Sequence, residues 1–195
     1  MARYSLRNPT YEDIPRLQHF EQVEGAGTEI SMYLKSEDEW KYVIDSYEYF
    51  KVCVDNEENG LVWGYILAAQ IENSLWIREI FFCKEYRDDP EKRKNIKLEG
   101  FGGVENMPLY GAVKFARERG GMTIAPIASD NERAISAMLG AYRFKHDRTI
   151  KSWFPNGKDL AIYIENTGTE PYQDCLLYTS PSPRDLSTSR MPSSA

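Results

Sequence analysis

The stretch Glu79-Ile80-Phe81-Phe82-Cys83-Lys84-Glu85-Tyr86-Arg87 decides how this chain is read. It closes an apolar run from Leu75 to Cys83, short enough for a strand, that stops abruptly at a charged exit. Two more strand-like runs precede it, Tyr49–Val54 and Leu61–Ile71. The connections are Asn56-Glu57-Glu58-Asn59-Gly60 and Glu72-Asn73-Ser74, and polar turns this short join antiparallel neighbours.

Towards the N-terminus, Tyr4-Ser5-Leu6-Arg7 reads as a strand. Thr10 with Asp13, and Ser36 with Glu39, are spaced as capping boxes. They predict one helix through Ile14, Leu17, Phe20 and Val23, ended by Gly25-Ala26-Gly27, and a second through Trp40, Val43, Ile44 and Tyr47. Beyond the central stretch, Lys84 to Asn106 is dense in charge and glycine and is predicted to be a loop. Pro108 opens a helix through Leu109, Ala112, Val113 and Ala116 that Gly120-Gly121 ends. A strand at Met122–Ile127 follows, then a short helix from Asn131 with Ala134, Ile135 and Met138 on one face. Phe144–Phe154 and Asp159–Ile164 close the chain as a hairpin turned at Pro155-Asn156-Gly157. These elements predict an α+β fold, one sheet with helices on its faces.

The last 21 residues, Cys175 to Ala195, are set apart. They are rich in Ser, Pro, Thr and Arg and cannot bury enough surface to offset the entropy of ordering. Their back-translation resembles a tagmentation-type sequencing adapter in one frame, from Cys175 to Asp185 and again from Ser189 to Ala195, with three variable residues between. The expectation is therefore one domain over 1–174 and a non-native, disordered tail over 175–195.

The full chain carries 24 basic and 30 acidic residues. Setting aside Arg184, Arg190 and Asp185 leaves 22 and 29, a net charge of −7. That balance disfavours nucleic acid as a partner, which needs a basic face. Outside the tail only Cys53 and Cys83 occur, each in an apolar run, and both read as reduced core residues. No apolar run approaches the ~20 residues of a membrane span. No membrane association and a cytoplasmic location are expected. His19 and His146 have no partners at metal-ligand spacing, so no metal is expected.

The residues 79–87 resemble the fourth strand and exit of the GNAT acyl-CoA N-acyltransferase superfamily, usually an acidic residue, an apolar triplet and a Pro-Glu-Tyr-Arg-like step, here with Lys84 in place of the proline. Ala112–Phe115-Ala116, Gly120, Asn131, Ala134 and Phe144 are similar to its crossover helix and Asn-x-x-Ala…Gly-Phe segment. The resemblance covers most of 4–165. It implies a GNAT-like fold, with a central, mostly antiparallel mixed sheet and helices on both faces. The implied activity is N-acetyl transfer from acetyl-CoA, as cosubstrate, to a small-molecule or peptide amine. A homodimer is compatible with it.

The family's pyrophosphate loop, Arg/Gln-x-x-Gly-x-Gly/Ala, is matched by Lys97-Leu98-Glu99-Gly100-Phe101-Gly102-Gly103. Glycines let backbone N–H groups approach an anion, and a following helix N-terminus adds a favourable field. Nine further residues, Asp88 to Ile96, separate this loop from Arg87, and Pro108 follows it closely, so the segment also reads as a charged linker.

Acyl transfer to an amine needs a base, a polarised carbonyl and a proton source. The resemblance implies Glu79 as base; an ordinary solvated strand charge is the alternative. The backbone N–H groups of Phe82 and Cys83, beside Phe81, are the implied carbonyl donors. The position of the family's general-acid Tyr holds Met138, and Tyr142 four residues on is the substitute candidate, or a packing residue, with protonation of the leaving group by water as the alternative. Asn131 reads as a pantetheine contact or a helix cap. Tyr33, Trp40, Tyr47 and Tyr49 read as an acceptor wall or as core. A catalytically weak acyl-CoA-binding domain and a protein-interaction module on the same fold are the rival readings. Removing 175–195 is expected to leave the melting temperature unchanged, which thermal denaturation of both chains checks.

Overall fold

The structure is a computed structural model that describes residues 2–23, 34–97, 106–132, 134–135, 139, 144–154 and 156–165. In chain order these give β1 (Tyr4–Arg7), a 3-10 turn (Tyr11–Asp13), α1 (Ile14–Gln22), α2 (Glu37–Ser46), β2 (Tyr49–Asp55), β3 (Leu61–Ile71) and β4 (Ser74–Phe82). Then come α3 (Lys84–Asp88), α4 (Pro90–Ile96), α5 (Asn106–Glu118), β5 (Met122–Ala128), β6 (Lys145–Ile150) and β7 (Leu160–Ile164).

Both capping boxes form. The Glu39 carboxylate accepts from the Ser36 N–H at 2.7 Å, and Ser36 Oγ accepts from the Glu39 N–H at 3.3 Å. Asp13 accepts from the Thr10 N–H at 2.7 Å and holds the Arg7 guanidinium through both oxygens, tying the helix entrance to β1. The strands lie in the order β1-β2-β3-β4-β5-β7-β6. All neighbours are antiparallel except β4 and β5, which are parallel and joined through α5, as the α+β reading expects.

Alternation along β3 splits the core between two faces, because successive side chains point to opposite sides. Trp63, Tyr65 and Leu67 pack with Leu17, Phe20 and Trp40 from α1 and α2. Ile66 and Ala68 pack with Leu109, Ala112, Val113 and Ala116 of α5. Trp40 and Tyr49 are core residues rather than cleft walls. Cys53 and Cys83 are buried and form no disulfide.

Three expectations are corrected. The predicted loop from Lys84 contains two short helices, α3 and α4. High charge does not prevent helix formation when caps are present: Asp89 Oδ1 accepts from the N–H groups of Glu91 (2.8 Å) and Lys92 (3.1 Å), and Pro90 fills the first helical position. The helix expected to open at Pro108 begins at Asn106; a proline in the first turn lacks only an N–H that would have had no helical acceptor. The sixth strand ends at Ile150, short of Phe154. There Ser152 turns the chain at φ +50°, and Asp159 captures its N–H and the Lys151 ammonium.

Tyr86, in the charged exit, proves structural. Its hydroxyl donates to Asp55 at 2.9 Å, and its ring stacks on Trp63 at 5.1 Å between centroids. The Asp55 side chain is fully buried and also receives the Arg3 guanidinium and the Glu57 N–H. Burial opposes ionisation, but Arg3, Tyr86 and the Glu57 N–H outweigh it and hold the Asp55 carboxyl below its usual range. A carboxyl with a depressed folded-state pKa contributes stability above its unfolded pKa of about 3.9 and loses it as pH falls through the folded value. Tyr86→Phe is therefore expected to cost about 1–3 kcal/mol at pH 7 and to bring the acid loss on at higher pH, read by urea unfolding from pH 7 to pH 2.

Candidate active site

Parallel pairing between β4 and β5 lasts for three residues only: Ser74 with Met122, Leu75 with Thr123 and Trp76 with Ile124. Its closed end is fixed by contact. The Met122 N–H donates to the Asn73 carbonyl at 3.1 Å, and a Cβ on Gly121 would overlap that same carbonyl oxygen. Past Trp76 the strands part. The open cleft between them, about 550 Å³ including the part open to solvent, is lined by Ile77–Ile80 on one side and 125–128 on the other, with Asn131, Ala134 and Phe154.

Two local features account for the parting. The β3–β4 register shifts between Leu67 and Ala68, leaving Arg78 as the extra residue of a bulge, and a bulged strand bends. On β5, the bonds from the Glu165 N–H to the Thr123 carbonyl and from the Ser129 N–H to the Asp159 carbonyl fix which positions face β7. Alternation in an antiparallel ladder then turns the nitrogen of Pro126 away from β7 and towards β4. Proline suits the β7 ladder there and withholds the donor that continued pairing with β4 would need.

The same argument identifies the donors on β4. The Cys83 N–H donates to the Trp63 carbonyl at 2.9 Å, so Gly64 and Phe82 form a pair that exchanges no hydrogen bonds. The register runs unbroken back to Glu79, so Ile80 and Ile66 are the next such pair. The N–H groups of Phe82 and Ile80 therefore point to the strand edge that β5 has left. Of the two N–H groups expected as donors, that of Phe82 faces this edge and that of Cys83 is committed to β3, while the Ile80 N–H faces the same edge. Phe81 lies between them with its ring in the core, 5.1 Å from that of Phe20.

Glu79 is not the solvated charge of the alternative reading. Its side chain is only 10 % exposed, on the α1/α2 face. Glu79 Oε2 accepts from the Tyr65 hydroxyl at 2.9 Å, and the Lys35 ammonium donates to the two oxygens at 3.1 and 3.4 Å. Lys35 also donates to Glu21 at 2.7 Å, and Glu21 accepts from Trp40 Nε1 at 3.2 Å. Burial disfavours the Lys35 charge, but Glu79 and Glu21 together raise its pKa, so it stays protonated. Burial first, then Glu79, pushes the Tyr65 hydroxyl well above its usual value and keeps it a donor.

Asn131 lines the cleft and also caps a helix, its Oδ1 accepting from the Ala134 N–H at 3.1 Å. Lys97 is exposed at the end of α4. Gly100, Gly102, Gly103, Tyr33, Met138 and Tyr142 lie outside the described residues. His146 Nε2 lies 2.9 Å from Thr149 Oγ1, and among the described residues no three His, Cys, Asp or Glu side chains converge as a metal set would. Sequence reasoning missed Glu21, Lys35, Ile80 and Pro126. Glu21 did leave a signal: it lies seven residues after Ile14, on the apolar stripe of α1, where a carboxylate needs a buried partner.

No protein-family model matches the chain, and no curated protein matches it by sequence. Its fold matches solved structures over most of their length. Ard1 from Thermoplasma volcanium aligns at TM-score 0.63 and 14% identity over 84% of this chain and 97% of that one. A GNAT superfamily phosphinothricin acetyltransferase from Sinorhizobium meliloti, solved with AcCoA, aligns at 0.62 and 20% over 88% and 95%. The ribosomal-protein-alanine N-acetyltransferase from Brucella melitensis aligns at 0.61 and 19% over 83% and 98%. The chain has the GNAT fold; at these identities the likeness carries the fold and not the activity. Asn131→Ala is expected to cost about 1 kcal/mol through the lost cap, and Asn131→Asp, which keeps the cap, much less; urea unfolding of both variants checks this.

Proposed function

We propose that this GNAT-fold chain is an acetyl-CoA-dependent N-acetyltransferase that moves an acetyl group to an amine of a small molecule, peptide or protein within a ternary complex. The observation that carries this reading is the opening between β4 and β5. An apolar cleft whose wall presents the unpaired N–H groups of Ile80 and Phe82 suits an extended amide-bearing arm ending in an acyl group. Acetyl-CoA supplies the activated acyl group. The Phe82 N–H, at the strand exit, is the donor for the carbonyl oxygen where charge develops, and Ile80 holds the arm. Lys97 and the glycines 100, 102 and 103 bind the pyrophosphate, and Asn131 borders the arm. Glu79, buried beside Lys35, accepts the proton of the incoming amine, directly or through water. Tyr142 is the proposed proton source for the departing thiol.

Acetyl-CoA at 100 times its dissociation constant is expected to stabilise the chain by about 2.7 kcal/mol, read as a rise in melting temperature. In amine-acceptor assays, Glu79→Gln is expected to lose ~10²–10⁴-fold in turnover at neutral pH, with recovery as pH rises and the amine deprotonates unaided. Stabilisation without turnover on any amine selects the acyl-CoA-binding alternative, and no stabilisation at all overturns the reading.

A further inference from the structure

The proposed base does not stand alone. A carboxylate has about four lone-pair sites, and Glu79 commits three of them to Tyr65 and Lys35, which leaves room for one proton-bearing guest. Lys35 is held independently of Glu79. Its ammonium bonds Glu21 at the shorter distance of 2.7 Å, its backbone N–H bonds the same carboxylate at 3.0 Å, and the ammonium sits 4.7 Å from the centre of the Trp40 ring. At 10 % side-chain exposure it is as buried as the carboxylate it serves.

We propose that Lys35 is the positioning residue of this site, an ammonium fixed by Glu21 and Trp40 that holds and aims the buried Glu79 side chain as the proton acceptor. This rests on the transferase reading above. Around this pair, among the described residues, α1 contributes Glu21, the segment before α2 contributes Lys35, α2 contributes Trp40 and, towards Lys35, the exposed Glu39, and β3 contributes Tyr65. Arg78, next on the strand, is exposed. Among the described residues Lys35 is therefore the cation in contact with Glu79. Two carboxylates flank it, so Glu21 matters in the opposite sense. It anchors Lys35 and shares its charge, and without it Lys35 pairs with Glu79 alone.

The test is the pH profile of kcat/KM in the full chain. Burial without a cation favours the neutral carboxyl, so Lys35→Met is expected to move the acid limb up by at least one pH unit. At a pH on that limb this is a loss of about tenfold or more, with KM for acetyl-CoA unchanged. Lys35→Arg is expected to restore most of the position of the limb. Glu21→Gln is expected to leave the limb unmoved or lower it, and Tyr65→Phe to raise it by less than Lys35→Met does. Should Lys35→Met not fold, the Tyr65→Phe and Glu21→Gln pair carries the same opposed signs.

A second readout needs no turnover. Carbon-13 titration of the Glu79 carboxyl, assigned by its loss in Glu79→Gln, is expected to show a higher midpoint in Lys35→Met than in the parent chain. An unmoved midpoint and an unmoved acid limb overturn the role given to Lys35. A moved midpoint in a chain that turns over no amine upholds it while overturning the transferase reading.

Discussion

The organisation of this molecule depends on a parallel strand pairing that is allowed to run for only three residues. Were β4 and β5 to pair along their whole length, the sheet would be continuous and its centre would present no backbone donor to anything but itself. The short pairing is held from one end, where Gly121 and Met122 meet the Asn73 carbonyl, and released at the other by a bulge on β4 and a proline on β5. Each device is tolerable because its far side is satisfied: β4 remains in register with β3, and β5 with β7. What remains is a wedge in which the N–H groups of Ile80 and Phe82 have no sheet partner among the described residues. Outside a ligand site, such groups are a liability in a protein interior.

Buried charge is handled twice in this fold, in different ways. At the end of β2, Asp55 is surrounded by Arg3, Tyr86 and a backbone N–H, which together saturate it. That group clamps α3 onto the end of β2. On the α1/α2 face, Glu21 and Glu79 share the ammonium of Lys35, beside a core that includes Phe20, Trp40 and Phe81. Removing one partner from a buried pair typically costs 3–5 kcal/mol, because the other charge is left desolvated. One cation shared by two carboxylates is therefore an expensive arrangement to keep for stability alone, and an apolar replacement would serve packing as well. An incompletely compensated carboxylate next to a cleft is what proton abstraction from an ammonium requires.

Local signals in the sequence were strong where they were read through the correct chemistry. The boxes at Thr10 and Ser36, the apolar strand run of 61–71 and the glycines after α5 all act within a few residues, and all formed as expected. The segment after Cys83 departs from the expected loop because the Asp89-Pro90 pair is a helix start, and a capped helix tolerates high charge density. Tyr86 carried a family resemblance but works through Asp55, 31 residues away, and no spacing rule reaches that far.

By itself, then, the sequence determined most of the elements and their order, and with them the fold, because caps, turns and apolar runs are settled by neighbours along the chain. It also named Glu79 and Phe82. Only the tertiary structure decided what those residues can do. Which N–H groups of β4 face the cleft depends on the register of Gly64 against Phe82, and a one-residue slip would exchange Ile80 and Phe82 for Phe81. Whether Glu79 is a surface charge or a buried, paired carboxyl group depends on Lys35, 44 positions away, being brought to it by the packing of α1 and α2 on the sheet. Strand register and buried ion pairing are both long-range properties, and they become fixed only when the sheet closes on its core.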